Sequence, residues 1–158
     1  KNYLKPIQQT YPIEEFEREN QEEIKEVLDR IKKSNGVVTA QNYFVQVPNS
    51  FIRNPNLKSK EKLLYIYLWG FGGASMNMYP SQARMKKELG WSIPTIIDTL
   101  KSLEEKGGLY IINRVYKSTK EKSTNLYYLA EIDNSTGCFN KKSIKIVKSV
   151  YPDKIVFI

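Results

Sequence analysis

The stretch PSQARMKKELGWSIPTIIDTLKSLEEKGGLYIINRVYKSTKEKSTNLYYL, residues 80–129, decides the fold of this chain. It opens with a short helix pattern. Pro80 and Ser81 form a helix start, because a serine hydroxyl can accept hydrogen bonds from free backbone N–H groups. Leu89 and Gly90 form a helix end, because glycine tolerates the left-handed turn that closes many helices.

A second helix pattern follows immediately, and Ser92 can cap its start. Apolar residues recur along it at steps of three, four and three: Ile93, Ile96, Leu100 and Leu103. This spacing predicts one buried stripe, and the pair Gly107 and Gly108 ends the helix. At about 3.6 residues per turn, the opposite face is the one that a recognition helix presents to the DNA major groove. That face carries Pro94, Thr95, Asp98, Lys101, Ser102 and Glu105.

Two strand patterns come next, at residues 109–112 and 125–129, both apolar and rich in residues that favour strands. The loop between them carries the basic residues Arg114, Lys117, Lys120 and Lys122. Together they predict a β-hairpin with a cationic tip. Two helices joined by a tight turn and followed by such a hairpin, or wing, are typical of a winged helix-turn-helix, an α+β fold that binds DNA.

Further short motifs stand in a fixed order around this stretch. They are FVQVPN at 44–49, LKSKEKLLY at 57–65, PS at 80–81, LG at 89–90, Ser92, TI at 95–96, LKSLEEKG at 100–107, and TN at 124–125 before Tyr127 and Leu129. In this order, residues 43–130 resemble the winged-helix domains at the front of replication initiators from phages and plasmids of low-GC Gram-positive bacteria. The resemblance implies DNA binding in replication, although related winged helices serve repressors, partition proteins and conjugation regulators.

Two features depart from that family pattern. Ile97 and Asp98 stand where such proteins usually carry basic or polar side chains, and Lys86 replaces a small alanine. We therefore expect phosphate contacts to shift from the helix to the wing. Asp98 either accepts a hydrogen bond from a cytosine amino group or faces solvent because this helix does not touch DNA.

The charge of the chain favours a polyanionic partner. The formal net charge is +8. Residues 1–40 hold seven basic and eight acidic side chains, so the excess of positive charge lies in residues 41–158. This supports double-stranded DNA as the partner. The alternative is a solvated lysine-rich surface that follows from the codon usage of an AT-rich genome.

Three segments organise the chain: an N-terminal extension at 1–40, the winged module at 41–133 and a C-terminal extension at 134–158. Residues 13–34 predict an amphipathic helix, interrupted at Asn20, that either docks on the module or pairs with its copy in a homodimer. Within the module we expect a strand at 43–47 and a turn at Pro48 and Asn49. A helix after Ser59 should bury Leu63, Leu64, Tyr67, Leu68 and Phe71.

Residues 134–158 predict a β-hairpin around a tight turn at 151–154. Its apolar end, residues 155–158, should add to the sheet, pack on the module or be buried in a partner, including a second copy. A structural role is the default interpretation of this extension, and dimerisation is the sharper hypothesis.

Residue types that enzymes need are scarce. The chain has no histidine and one cysteine, Cys138, so we expect no histidine-based catalysis, no zinc site, no cofactor and no internal disulfide. No run of about 18 apolar residues predicts a membrane span, and residues 1–6 lack the apolar core of a secretory signal. We expect a cytoplasmic protein and, since the first residue is lysine, a piece of a longer chain.

The leading hypothesis is sequence-specific binding of double-stranded DNA in replication, or a related function of a mobile element. The residues predicted to contact DNA are Ser92, Pro94, Thr95, Asp98, Lys101, Ser102, Arg114, Lys117, Lys120 and Lys122. Two other hypotheses are a regulator of transcription, partition or conjugation, and an adaptor that binds replication or conjugation proteins. In an adaptor, Trp91 would be an interface hot spot, whereas its alternative role is packing between the two helices.

Overall fold

The structure is a computed structural model that describes residues 13–33, 37–38, 45–72 and 80–158. Its helices are α1 (Ile13–Glu19), α2 (Gln21–Lys33), α3 (Asn49–Ile52), α4 (Ser59–Trp69), α5 (Gln82–Leu89), α6 (Ile93–Glu105) and α7 (Lys141–Val150). Its strands are β1 (Val37–Val38), β2 (Leu109–Val115), β3 (Leu126–Leu129), β4 (Glu131–Ile132), β5 (Phe139–Asn140) and β6 (Ile155–Phe157). This mixture of helices and a small sheet confirms the predicted α+β class.

Four strands form the central sheet in the order β1-β3-β2-β6. β2 and β3 are antiparallel, with Leu109 opposite Leu129 and Ile112 opposite Leu126. β1 runs parallel to β3, and β6 runs parallel to β2. β4 and β5 form a separate antiparallel ribbon. The chain therefore ends with β6 on one edge of the sheet, directly beside β2.

Helices cover both faces of this sheet. Because successive strand residues point to opposite sides, each central strand contributes side chains to a core on either face. One core combines buried residues of α3 to α6 with Leu109, Tyr127 and Leu129 of the sheet. The second core combines Val27 and Ile31 of α2, Ile144 and Val147 of α7, and the sheet residues Tyr110, Ile112, Leu126 and Tyr128. The helix pair α5 and α6 thus lies on one side of the sheet, and α2 and α7 lie on the other.

The amphipathic pattern at 13–34 forms two helices that separate at Asn20. Asn20 is buried, and its side-chain amide donates to the carbonyl of Phe16 at 2.9 Å. Val27 and Ile31 are buried against the sheet and α7. The segment is thus docked on the sheet of the module, and its pairing with a second copy stays a prediction.

The segment before α4 differs from the prediction. Residues 45–47 form no strand, so that expectation is wrong there, and residues 43 and 44 lie outside the described part of the chain. The turn expected at Pro48 and Asn49 is instead the start of α3, for which Pro48 is the N-terminal cap residue. The extended backbone of proline suits this position without a strand partner.

Helix α4 buries a different set of residues from the one predicted. Leu64 and Leu68 are buried as expected, but Leu63 is 48% exposed, so its assignment to the core is wrong. Tyr65 is buried instead, its hydroxyl donates to the carbonyl of Ala130, and burial raises its pKa well above the ordinary value. A hydroxyl with this partner is compatible with a core position.

The predicted C-terminal hairpin is wrong in its first half. Residues 141–150 form α7, which Asn140 caps by accepting a hydrogen bond from the N–H of Lys142 at 3.0 Å. Ile144 and Val147, one turn apart, are buried against the sheet. The second half follows expectation, because β6 adds to the edge of the sheet.

Candidate nucleic-acid interface

Helices α5 and α6 and the turn between them follow the predicted caps. The Ser81 hydroxyl accepts a hydrogen bond from the N–H of Arg84 at 3.1 Å, and the Ser92 hydroxyl accepts one from the N–H of Thr95 at 3.3 Å. Between them, Gly90 has φ of 74°, in the left-handed region where a side chain would be strained. These local signals fix where each helix begins and how the chain turns between them.

The inner faces of both helices are packed into the core. Met85, Ile96 and Leu103 are fully buried, and Leu100 nearly so. Trp91, in the turn, is partly buried against the same core, and the ammonium group of Lys60 lies 4.9 Å from its ring centroid. The described contacts of Trp91 are thus those of a packing residue.

The opposite face of α6 is exposed at most of the predicted positions. Pro94, Asp98, Lys101 and Glu105 are exposed, Thr95 is partly buried, and Ser92 is exposed at the helix start. We call these residues, without Ser92, the outer face of α6. Its charges are mixed, since Lys101 stands with the acidic side chains Asp98 and Glu105.

Ser102 does not belong to this face, and its predicted position there is wrong. Its hydroxyl donates to the carboxylate of Glu61 in α4. Glu61 is only 2% exposed and also accepts from the ammonium of Lys106 at 2.7 Å and from the N–H of Lys58 at 2.7 Å. Ser102 therefore holds α6 against α4 instead of facing a ligand.

This buried carboxylate is stabilised in its charged form. Burial raises the pKa of Glu61, but hydrogen bonds from Lys106, Ser102 and the Lys58 N–H, together with the Lys106 charge, outweigh burial and leave the pKa below its ordinary value. The cluster connects the start of α4 to the last turns of α6. It fixes the rotation of α6 about its own axis.

Glu104 connects α6 to the sheet. Its carboxylate accepts the N–H of Ile111 in β2 at 2.7 Å and pairs with the ammonium of Lys154 at 2.6 Å. Ile111 precedes the part of β2 that pairs with β6, so Glu104 satisfies an N–H that has no strand partner on that side. The side chain thus joins α6 to the hairpin that follows it.

The hairpin is longer than predicted, and Arg114 lies inside it. β2 runs to Val115, three residues beyond the apolar run, and the bridge between Val115 and Lys122 extends its pairing. Arg114 is 6% exposed, and its guanidinium donates to the hydroxyl of Thr124 at 2.9 Å. The expectation that Arg114 lies at the tip is wrong, because it cross-links the two sides of the hairpin.

The tip itself, residues 116–122, carries the other three predicted cations. Lys117, Lys120 and Lys122 are all exposed. Lys120 has φ of 62°, and its N–H donates to the carbonyl of Tyr116 at 2.9 Å to close the turn. A left-handed conformation costs a lysine on the order of 1 kcal/mol, so glycine or asparagine would be the cheaper residue here.

A polar cleft of about 520 Å³ separates the start of α5 from the hairpin. Its lining includes residues that the sequence did not single out as DNA contacts: Ser81, Gln82, Tyr116, Ser123, Thr124 and Asn125. Lys122 also lines it. The cleft could not be predicted from local sequence patterns. Its two walls are about forty residues apart in the sequence and come together only in the folded chain.

Three further properties bear on function. Among the described residues, no group of three or more metal-ligating side chains could hold a metal ion. Burial raises the pKa values of Tyr127 and Tyr128 to about 12, so these two hydroxyls stay protonated at neutral pH. In the part of the chain that the structure describes, no helix is long and apolar enough to cross a membrane.

Comparison with known proteins identifies the centre of this region. A family model described as a helix-turn-helix domain matches residues 56–109, which span α4, α5, α6 and the start of β2. Neither curated proteins nor solved structures gave a match. The match and the geometry agree on a helix-turn-helix domain, and such a domain indicates DNA as the partner.

Proposed function

We propose that this chain binds double-stranded DNA sequence-specifically as a winged helix-turn-helix, in the initiation or control of replication of a plasmid or phage. The observation that carries the proposal is the order of two surfaces, one inside the matched domain and one directly after it. The exposed outer face of α6 is followed by a hairpin whose tip presents three lysines. Glu104 connects the two, so both can meet one duplex in a fixed relation.

The two parts have different tasks in this proposal. Thr95, Asp98 and Lys101 face base edges in the major groove, and Ser92 and Pro94 lie where the helix start approaches the backbone. Lys117, Lys120 and Lys122 pair with phosphates. Ser102 and Arg114 are left out of the contact set, because their polar groups bond inside the protein.

The replication role rests on the resemblance of residues 43–130 to the winged-helix domains of initiators. Regulators of transcription, partition or conjugation use the same DNA-binding arrangement, and they form the alternative process. The target sequence distinguishes them: repeated sites inside a replication origin support the initiator, and a site overlapping a promoter supports the regulator. In each case the proposed activity is binding without catalysis.

A protein adaptor is the second candidate function. The charge of the outer face of α6 favours it, since Asp98 and Glu105 outnumber Lys101 there, and phosphates repel carboxylates. An adaptor would present this face to another protein of a replication or conjugation complex. Its binding would survive charge reversal of the wing lysines.

The experiment that tests the proposal is selection from a random pool of duplex DNA at increasing salt, followed by sequencing of the retained molecules. Enrichment of one motif supports a sequence-specific reader, and two half-sites about one helical turn apart would reveal a two-fold dimer. Salt-sensitive retention without enrichment would reduce the proposal to nonspecific binding. Absence of retention would contradict DNA binding and favour the adaptor.

A further inference from the structure

The last strand of the sheet, β6, is an open edge made only of apolar residues. In the part of the chain that the structure describes, β2 pairs with one side of β6 and no strand pairs with the other. Ile155 is 41% exposed, Phe157 is 52% exposed, and Ile158, directly after the strand, is 41% exposed. Edge strands commonly carry a charge or a proline that prevents further pairing, and β6 carries neither. Such an edge is suited to pairing with another strand.

The backbone of β6 has hydrogen-bonding groups directed to this open side. Alternate residues of a strand bond to the same neighbouring strand. The carbonyl of Lys154 accepts a hydrogen bond from β2 at 2.8 Å, and the N–H of Ile158 donates to a carbonyl of β2 at 2.9 Å. The even-numbered residues of this segment thus bond to β2. The N–H and C=O groups of Ile155 and Phe157 point the other way, where no described strand pairs with them.

The two exposed side chains within β6 share one face of the sheet. Ile155 and Phe157 are two residues apart in a strand, so both point to the same side. Val156, between them, points to the opposite side and packs against the core that contains α2 and α7. Ile155 and Phe157 therefore lie on the side of the sheet that carries α5 and α6.

A second copy of the same strand fits this edge. If two copies of β6 pair antiparallel about Val156, Ile155 of each copy lies opposite Phe157 of the other. These are the residues whose backbone groups face outward, so each such pair can exchange both of its N–H···O=C hydrogen bonds. An isoleucine then packs against a phenylalanine across the strands, and pairs of this kind stabilise sheets. The backbone groups and the side chains thus require the same register.

The charges at the two ends of β6 favour this arrangement. At one end, the ammonium group of Lys120 lies 5.3 Å from the ring centroid of Phe157, within range of a cation–π interaction. At the other end, Asp153 is exposed in the turn before the strand, while the ammonium of Lys154 pairs with Glu104. Antiparallel pairing brings the cationic end of one copy towards the acidic turn of the other, and it keeps the two lysine-bearing wing tips apart.

The small size of this contact determines how strong the dimer is. Stable protein interfaces bury about 1,200–2,000 Å² in total, and two paired strands of three residues bury much less. We therefore expect a weak, concentration-dependent dimer in free solution. Two half-sites on one duplex would strengthen it by holding both copies close together.

We infer that the open edge of β6 is a dimer interface, at which two copies of this chain join their sheets through antiparallel β6 strands centred on Val156. The two-fold axis of such a pair is perpendicular to the sheet, so both α6 helices lie on the same side of it. The interface goes beyond the proposed DNA contacts and does not need them. Its use on a two-fold DNA site rests on the proposed function.

The register is tested by disulfide cross-linking of the full chain, with Cys138→Ser in the background to remove the native thiol. Val156→Cys places a cysteine opposite its own copy in a non-hydrogen-bonded pair, where Cα atoms lie about 4.5 Å apart, within disulfide range. Mild oxidation should then give a covalent dimer. Ile155→Cys is the matched control, because it lies opposite Phe157 of the other copy and should cross-link far less. Equal cross-linking of both variants, or of neither, would overturn the inference.

Sedimentation equilibrium without DNA, at protein concentrations up to about 1 mM, measures the dimer itself. Phe157→Lys and Ile155→Glu should each raise the dissociation constant about tenfold, because each replaces an apolar cross-strand pair. The double variant should recover part of this loss, since each glutamate then lies opposite a lysine of the other copy. Leu63→Lys, at a site on α4 that is 48% exposed, is the matched control and should leave dimerisation unchanged.

The remaining outcomes separate this inference from the proposed function. A wild-type chain that stays monomeric would overturn the inference and leave the edge to a strand of another protein. A dimer that both β6 variants leave intact would also overturn it and would place the interface elsewhere, such as on residues 13–34. Dimerisation through β6 without any binding of duplex DNA would instead contradict the proposed function and support this inference.

Discussion

The outer face of α6 and the tip of the wing differ in how the protein holds them. Helix α6 is fixed on three sides, by the buried residues Ile96 and Leu103, by the Glu61 cluster and by the bonds of Glu104. The wing tip is held by backbone hydrogen bonds to the edge strand β6 and carries exposed lysines. One surface is rigid and nearly balanced in charge, and the other is exposed and cationic.

This difference matches two physical requirements of DNA binding. Reading a base edge requires donors and acceptors held in place by surrounding contacts, because a misplaced hydrogen bond gives no discrimination. Pairing with phosphate requires charge and tolerates movement, because every nucleotide offers the same group. Under the proposed function, we therefore expect α6 to determine specificity and the wing to determine affinity, which can be tested by changing one region at a time.

The largest expected effect comes from reversing the wing charge. A variant with Lys117→Glu, Lys120→Glu and Lys122→Glu should bind every duplex on the order of a hundredfold more weakly at low salt. The slope of log affinity against log salt should fall by about one for each lost phosphate contact. Anisotropy titrations with the selected motif and a scrambled duplex measure both quantities.

A control with the same change in net charge is available on the other side of the sheet. Lys25, Lys32 and Lys33 are exposed on α2, and their reversal to glutamate should change affinity far less. Equal losses in the two triple variants would show that net charge, and not the wing, determines affinity. The assignment of affinity to the wing and of specificity to α6 would then be contradicted.

The next effect concerns the rigidity of α6. Glu61→Gln removes the charge that Lys106 and Ser102 contact, so we expect it to lower the free energy of unfolding by about 2 kcal/mol at neutral pH. Urea unfolding followed by circular dichroism measures this loss. Glu105→Gln, on the exposed face of α6, is the matched control and should change stability little.

The pH dependence of this loss has a definite sign. The pKa of Glu61 is lowered below its ordinary value of 4.5, so its charge stabilises the fold fully above that pH, and the contribution disappears as pH falls through the lowered pKa. The difference in the free energy of unfolding between wild type and Glu61→Gln should therefore decrease as the pH is lowered. A difference that is constant from neutral pH to acid would show that the carboxylate charge does not hold α6.

The elements that sequence reasoning located correctly are those with local signals. Ser81, Gly90 and Ser92 mark the ends of α5 and α6 through contacts within a few residues, and an apolar stripe identifies the buried face of α6. Such signals depend on neighbouring residues alone. The helix-turn-helix at the centre of the candidate interface was predictable for this reason.

The errors occur where distant residues decide the outcome. Residues 141–150 are rich in strand-favouring isoleucine and valine, yet burial against the sheet makes them helical. The sequence predicts Arg114 at the tip because β6, the strand whose pairing lengthens β2, lies about forty residues later in the chain. The position of Ser102 could not be predicted without Glu61, a charged residue whose burial depends on Lys106.

A smaller effect is expected for a single base contact. Lys101→Ala should alter the preference among selected sequences by about 1–2 kcal/mol while affinity for scrambled duplex changes little. Repeating the selection with the variant measures the change position by position. Lys87→Ala, an exposed lysine on α5, is the matched control and should weaken all sequences alike. A uniform loss for Lys101→Ala would place this lysine among the phosphate contacts.

The smallest expected effect, at Asp98, decides whether α6 reads bases at all. Asp98→Asn preserves the shape of the side chain and removes its charge. If the carboxylate accepts from a cytosine amino group, the variant should lose preference for cytosine at one position by about 1 kcal/mol, because asparagine prefers adenine. If Asp98 only lies near phosphates, affinity for all sequences should rise slightly and the motif should stay the same. If neither the base preference nor the affinity changes, the outer face of α6 is remote from DNA. That result would favour the adaptor as the function of this chain.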